Sequence, residues 1–197
     1  MTKNDIKFID FVKRECKTHG IKCDLRPTKY IRLYGKMKVS GYFGEEEKVL
    51  ACSMNREDSL GILAHEYAHM TQWIDKEPLF MEVSPSIIKI DDWLLGKNVK
   101  DIEKHLSTAR DMELDNEKRT VKIIKKHGLS IDVKKYIKGA NAYIHLYNYL
   151  NISRKWPEPS NSPYNNVEIL EYMPYKFNMN YNKMSPKLIK LYSKNNI

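Results

Sequence analysis

Two histidines four residues apart enclose a glutamate in GILAHEYAHMTQWIDKEP, residues 61–78, as His65-Glu66-x-x-His69. On an α-helix, side chains at i and i+4 stand on one face a turn apart, so both imidazoles can reach a single metal ion. Zinc suits such a donor set once a carboxylate completes it, and Glu66 would project beside the ion, placed to take a proton from a water. A metal-free helix could carry the same pair of histidines. The rest of the chain must therefore supply a third ligand and a place that excludes water. At 100° per residue, Leu60, Leu63, Tyr67, Met70 and Ile74 share one arc of the helix. His65, Glu66 and His69 lie on the opposite arc with Ile62 and Trp73. Apolar residues on both arcs predict a helix shielded from water on both sides.

The acids come from a later helix, expected over 101–127 and closed by Gly128. Asp111, Asp115, Lys118, Arg119, Lys122, Lys125 and Lys126 make its polar arc, and Leu106, Ala109, Leu114, Thr120, Val121 and Ile124 its apolar one. Glu113 and Glu117 fall in the middle of the apolar arc. A carboxylate buried without compensation costs several kcal/mol, so two of them one turn apart ask for a cation. A metal on His65 and His69 would be one. Arg110, near the same face, is the other.

Around these two helices the pattern predicts an α+β chain. Residues 4–19 read as an amphipathic helix with Ile6, Ile9, Val12 and Cys16 on one stripe and Gly20 as its stop. Short strand-like runs follow: IKCDLRP, YIRLYG, MKVSGYFG and KVLACSM. The last two should form a hairpin around GEEE. Asn55 offers an N-cap to the histidine helix, with Asp58 at its N3 position. EPLFMEVSPS reads as a connector, residues 133–150 as a helix, and WPEPSNSPYNN as a loop. Ser185-Pro186 reads as a cap and first helical proline opening a terminal helix. The expected organisation is one domain over 1–197, a core over 1–150 with a loop-rich extension over 151–197 packed on it.

The composition bounds the partners. Of 197 residues, 42% are hydrophobic and 30% charged, an ordinary globular balance. Cys16, Cys23 and Cys52 form no C-x-x-C pair, which excludes a cysteine zinc ribbon and predicts reduced thiols. The N-terminal stretch is charged from its third residue, and no segment approaches the ~20 apolar residues of a membrane span. A cytoplasmic protein is expected, in the host cytoplasm if a phage encodes it, with no membrane partner. The net charge is +9, with seven Lys or Arg against one acid from Arg119 to Lys138 and five Lys with no acid from Lys176 onward. Such a surface could attract nucleic acid or an acidic protein, although no nucleic-acid motif accompanies it.

His65-Glu66-x-x-His69, followed 44 residues later by Glu113-x-x-x-Glu117, resembles the gluzincin metallopeptidases. More locally, AHEYAHMTQW, ELDNEKR, ANAYIHLYNYL, RKW, PY and MP look like small predicted metallopeptidases of tailed bacteriophages, over about residues 50–175. The resemblance implies a zincin-like fold, a small antiparallel sheet packed on the motif helix and further helices. It implies a zinc peptidase acting on a peptide or protein substrate: His65, His69 and Glu113 as ligands, Glu66 as general base and Glu117 as the acid that orients a ligand. Where the thermolysin-like pattern has aspartate this chain has Glu117, so Glu117 as ligand and Glu113 as orienter stays open. Candidate oxyanion or substrate groups are Tyr143, His145, Tyr147 and Tyr164. KVLACSM is expected at the cleft edge, where it could hold an extended peptide by strand addition. Metzincins need a glycine and a third histidine where Gln72 and Asp75 stand, and a deformylase's cysteine- and glutamine-bearing motifs are absent. The rival reading is a catalytically silent zincin-fold binding protein that uses its basic surface.

Overall fold

The structure, a computed structural model, describes residues 1–33, 37–158 and 161–197. The run YIRLYG continues into Tyr34 and Gly35, and the loop 156–166 includes Pro159 and Ser160, which lie outside the described residues. The chain is α+β, with helices α1 (Lys3–Thr18), α2 (Ser59–Ile74), α3 (Pro78–Leu94), α4 (Ile102–His127), α5 (Val133–Ser153), α6 (Val167–Tyr172) and α7 (Pro186–Lys194). Its strands are β1 (Lys22–Arg26), β2 (Ile31–Leu33), β3 (Met37–Val39), β4 (Gly41–Gly44) and β5 (Val49–Ser53). It divides into two compact units: residues 1–76 with 118–133, and residues 77–117 with 134–197. Helix α4 runs unbroken through the division.

In the first unit, α1 starts on a capping box. The Thr2 hydroxyl accepts from Asp5 N–H, and the Asp5 carboxylate accepts from Thr2 N–H. Asp5 also accepts from the Ser130 amide at 2.9 Å and hydroxyl at 2.6 Å, tying the helix start to the segment after α4. The buried stripe is Asp5, Phe8, Val12 and Cys16, whereas Ile6 is exposed. The expected stripe was rotated because Asp5, polar in sequence, is buried through these bonds.

The sheet is mixed, not antiparallel. Its order is β1-β5-β4, with β1 parallel to β5 and β4 antiparallel to it. Strands β4 and β5 make the expected hairpin, with residues 45–48 as its turn. MKVSGYFG, one run in sequence, breaks at Ser40 into β3, which pairs with β2, and β4, which pairs with β5. The apolar run Leu50-Ala51-Cys52 is fully buried because β5 is the central strand. Both its edges are taken, so it cannot add a peptide strand. The edge beside the motif helix belongs to β4.

Helix α2 begins at Ser59, four residues after the expected cap at Asn55. Its N-cap is Asp58, which makes no side-chain capping bond because its carboxylate takes the Arg56 guanidinium at 2.7 and 2.8 Å. No residue from Ser59 to Ile74 is exposed, as apolar residues on both arcs demand.

In the second unit, the expected connector EPLFMEVSPS is the start of α3. Pro78 stands at the first helical position, where its missing N–H is no loss, and Pro85 sits inside the helix. The interior proline removes one backbone bond. Burial of Phe80, Val83, Ile90 and Trp93 at helical spacing holds the rest. Helix α5 is buried on nearly all sides, and Tyr192 of α7 donates to the Ala142 carbonyl at 2.5 Å. Part of the expected loop is structured: Pro163–Asn165 is a 3-10 turn, and Asn166 caps α6. Ser185 caps α7 by accepting from Leu188 N–H.

Candidate metal centre

The histidine pair is built by α2 alone. The His65 and His69 Nε2 atoms are 3.1 Å apart. Two zinc–nitrogen bonds of ~2.0–2.1 Å at a tetrahedral angle span about 3.3 Å, so the separation fits one shared ion. Gln72, one turn on and fully buried, places its Oε1 3.0 Å from His69 Nδ1. An amide oxygen only accepts, so the proton sits on Nδ1 and the lone pair on Nε2 faces His65. Burial, and then His65 beside it, pushes the His69 imidazole well below the ordinary histidine range, while Gln72 acts in the opposite sense. A neutral imidazole with a free Nε2 lone pair is the form that binds metal.

Glu66 is buried among the same helix's neighbours. Its stem lies over β4 at Gly41, where a Cβ would come 2.9 Å from Glu66 Cγ, 2.7 Å from Ile62 Cγ2 and 3.0 Å from the Ala51 carbonyl. Glycine at 41 is what lets helix and edge strand approach so closely. One ligand atom from each of His65, His69 and Glu113 lies within 4.8 Å of the others. Glu113, rather than Glu117, supplies the carboxylate oxygen of this group.

Around Glu113 and Glu117 the second unit is polar and buried. Both acids are buried, at 7% and 5% exposure, together with Asn116. Leu114, expected on the apolar arc, is half-buried, and Met112 takes a buried place instead. Glu117 accepts from the Tyr136 hydroxyl at 2.7 Å. The Tyr147 phenol lies near the Glu113 carboxylate, and its hydroxyl is 3.3 Å from that of Tyr143. Burial first, and the Glu113 carboxylate second, push both phenols well above the ordinary tyrosine range, so both stay protonated. Tyr164, partly exposed, packs its ring edge-on to Tyr143 at 6.2 Å.

His145 does not join this group. It stacks on Tyr181 at 5.6 Å with its Nδ1 3.3 Å from Asn148, and burial followed by Arg110 lowers its pKa to about 4. Two residues from 143 and 147, it points to the other side of α5. Arg110, the competing cation, donates to Asp111, Asn148 and Asn182. Sequence reasoning passed over Gln72, Gly41 and Tyr136. Gln72 was legible as i+3 from His69, a position that reaches the far ring nitrogen of a helical histidine. Gly41 and Tyr136 carry no such local signal.

Comparison with known proteins gives no matching family model, no similar curated protein and no similar solved structure.

Proposed function

We propose that the chain is a zinc-dependent peptidase in which His65, His69 and Glu113 hold the ion and Glu66 is the general base. The observation that carries the reading is the donor geometry: two Nε2 atoms 3.1 Å apart, one with its tautomer fixed by Gln72, and a carboxylate oxygen within 4.8 Å of both. Zinc bound there would polarise a scissile carbonyl and bring the pKa of a water toward ~7. Glu66, one residue after His65 and buried against Gly41, would take the proton of the attacking water and hand it to the leaving amine. Tyr147, near the Glu113 carboxylate and paired with the Tyr143 hydroxyl, would shape the surroundings of that ligand. Among the described residues β4 is an end strand of its sheet, and its outer edge, close to Glu66, would take an extended peptide.

Glu66→Gln tests the reading. The amide keeps the shape but takes no proton at neutral pH. Zinc content and melting temperature should stay near wild type, while cleavage of a broad peptide library falls at least ~10²-fold. Wild type that binds zinc but cleaves nothing in the library would favour the binding-protein reading. Cleavage undiminished in Glu66→Gln would sink the assigned base.

A further inference from the structure

Helix α5 and the segment after α6 carry lysines without acids. No Asp or Glu occurs in α5, none follows Glu171, and five lysines stand from Lys176 onward. One tyrosine is set rigidly into this basic surface. The buried Asn141 amide of α5 donates to the Pro174 and Lys176 carbonyls at 2.8 and 3.1 Å, and its oxygen accepts from the Tyr181 hydroxyl at 2.6 Å. The backbone on both sides of Tyr175 is thereby pinned to the helix, while Tyr175 itself is 51% exposed. Two ammonium groups lie against its ring, Lys134 of α5 at 5.3 Å and Lys176 at 5.8 Å from the centroid. Three residues back, half-buried Tyr172 ends α6 with a second pairing of the same kind. Lys187 of α7 lies 5.2 Å from its ring centroid, and the Tyr172 hydroxyl is 3.1 Å from Ser185 Oγ.

We infer that Tyr175 and the lysines around it form a docking surface for a single-stranded polynucleotide. The Tyr175 ring is the platform for a base, and the ammonium groups pair with phosphates. The inference does not rest on the metal reading. An exposed aromatic ring flanked by cations offers both things a single strand needs, a π-face for stacking and positive charge along its backbone. An ammonium over a solvent-exposed ring is held weakly, so it swings to a phosphate when a base takes the ring face. A duplex keeps its bases stacked inside and offers the ring none. An acidic peptide uses the lysines but has no group that needs the ring. Positive charge draws any polyanion; the ring, fixed between two bonded carbonyls, selects the single strand. Tyr172 and Tyr175 are three residues apart, which sets their Cα atoms at most about 11 Å from one another. Three or four nucleotides at the ~3.4 Å spacing of stacked bases cover that span, so one short strand can reach both rings.

The full chain is titrated at low salt into a fluorescently labelled single-stranded DNA of about 12 nucleotides, a length within the range of single-strand sites, and anisotropy is read. Tyr175→Ala removes no charge and should weaken binding about 5- to 150-fold, the effect of one lost stacking partner. Tyr175→Phe keeps the ring and should bind as wild type. Affinity for a duplex of the same length should not change in Tyr175→Ala, and neither should affinity for polyglutamate, the probe for an acidic protein. Lys134→Gln/Lys176→Gln should flatten the dependence of log affinity on log salt by about 1.4, at ~0.7 per phosphate contact on a single strand. Lys3→Gln/Lys7→Gln has the same net charge, lost from exposed positions of α1, and should stay near wild type. No binding of the strand by wild type, wild-type affinity in Tyr175→Ala, or equal losses in the two lysine pairs would each overturn the proposal. So would a loss in Tyr175→Ala as large for duplex or polyglutamate as for the single strand.

Discussion

At the scale of single residues, the two glutamates of α4 have different neighbours and should have different consequences. Glu113 lies in the His65–His69 group with Tyr147 near its carboxylate, whereas Glu117 accepts from Tyr136. Glu113→Ala should abolish stoichiometric zinc binding. Tyr147→Phe, which removes one hydroxyl and little volume, should weaken zinc about 10- to 100-fold, the usual effect of losing an outer partner. Glu117→Ala should leave a zinc site of at most similarly reduced affinity. Chelator competition on the three purified variants gives the order. Zinc retained in Glu113→Ala and lost in Glu117→Ala would move the ligand one turn along α4. The pair was legible in the sequence because two carboxylates in the middle of an apolar arc ask for a compensating cation. Their partners were not, since Tyr136 and Tyr147 are brought to them by tertiary packing that no local spacing encodes.

Elements position these residues, and two of them make sharp tests. Helix α2 lies so close to β4 that a Cβ at Gly41 meets Ile62, the stem of Glu66 and a backbone carbonyl, all at or under 3.0 Å. The carbonyl cannot swing away, so helix or strand must shift. Gly41→Ala should cost about 1–3 kcal/mol of stability, the usual range for overpacking, and lower kcat more than it raises KM because the displaced atom belongs to the proposed base. Wild-type melting and wild-type kcat would show that the approach is not tight in solution. At the start of α1, burial alone would raise the Asp5 pKa, but bonds from Ser130 and Thr2 outweigh it and hold it at about 2, below its ordinary 3.8. A folded-state pKa below the unfolded one means stability present in full above pH ~4 and lost as pH falls through it toward 2. The loss is about 2 kcal/mol by the linkage between pKa and stability. Asp5→Asn should flatten acid-unfolding curves in that window, and an unchanged acid limb would disprove the assignment. Strong periodicity made α1, α4 and α5 readable. Helix α3 was not, because Pro78 and Pro85 carry the composition of a connector while burial of four apolar side chains overrides them. The parallel pairing of β1 with β5 was likewise invisible, since it joins strands separated by three others.

For the whole molecule, the question is whether a metal contributes to the folded state as well as to chemistry. Among the described residues no helix is long and apolar enough to cross a membrane, and polyanions are drawn to net positive charge, here +9, by a force that salt screens. Stability measurements therefore belong at moderate salt and without nucleic acid. A ligand that binds only the folded chain stabilises it by RT ln(1 + [L]/Kd), about 2.7 kcal/mol when free zinc is 100 times Kd. For a chain of ~200 residues, each kcal/mol moves Tm by about 2–4 °C, so zinc added to chelated protein should raise Tm by roughly 5–10 °C. EDTA should reverse the rise. Glu66→Gln should show the same shift as wild type, because Glu66 lies outside the ligand group. His65→Ala and His69→Ala should show none, though their metal-free Tm need move little where a half-buried ring is lost. An equal rise in the histidine variants would assign the zinc to other groups. No rise in any variant would remove the metal, and the buried acids of α4 would then need no ion.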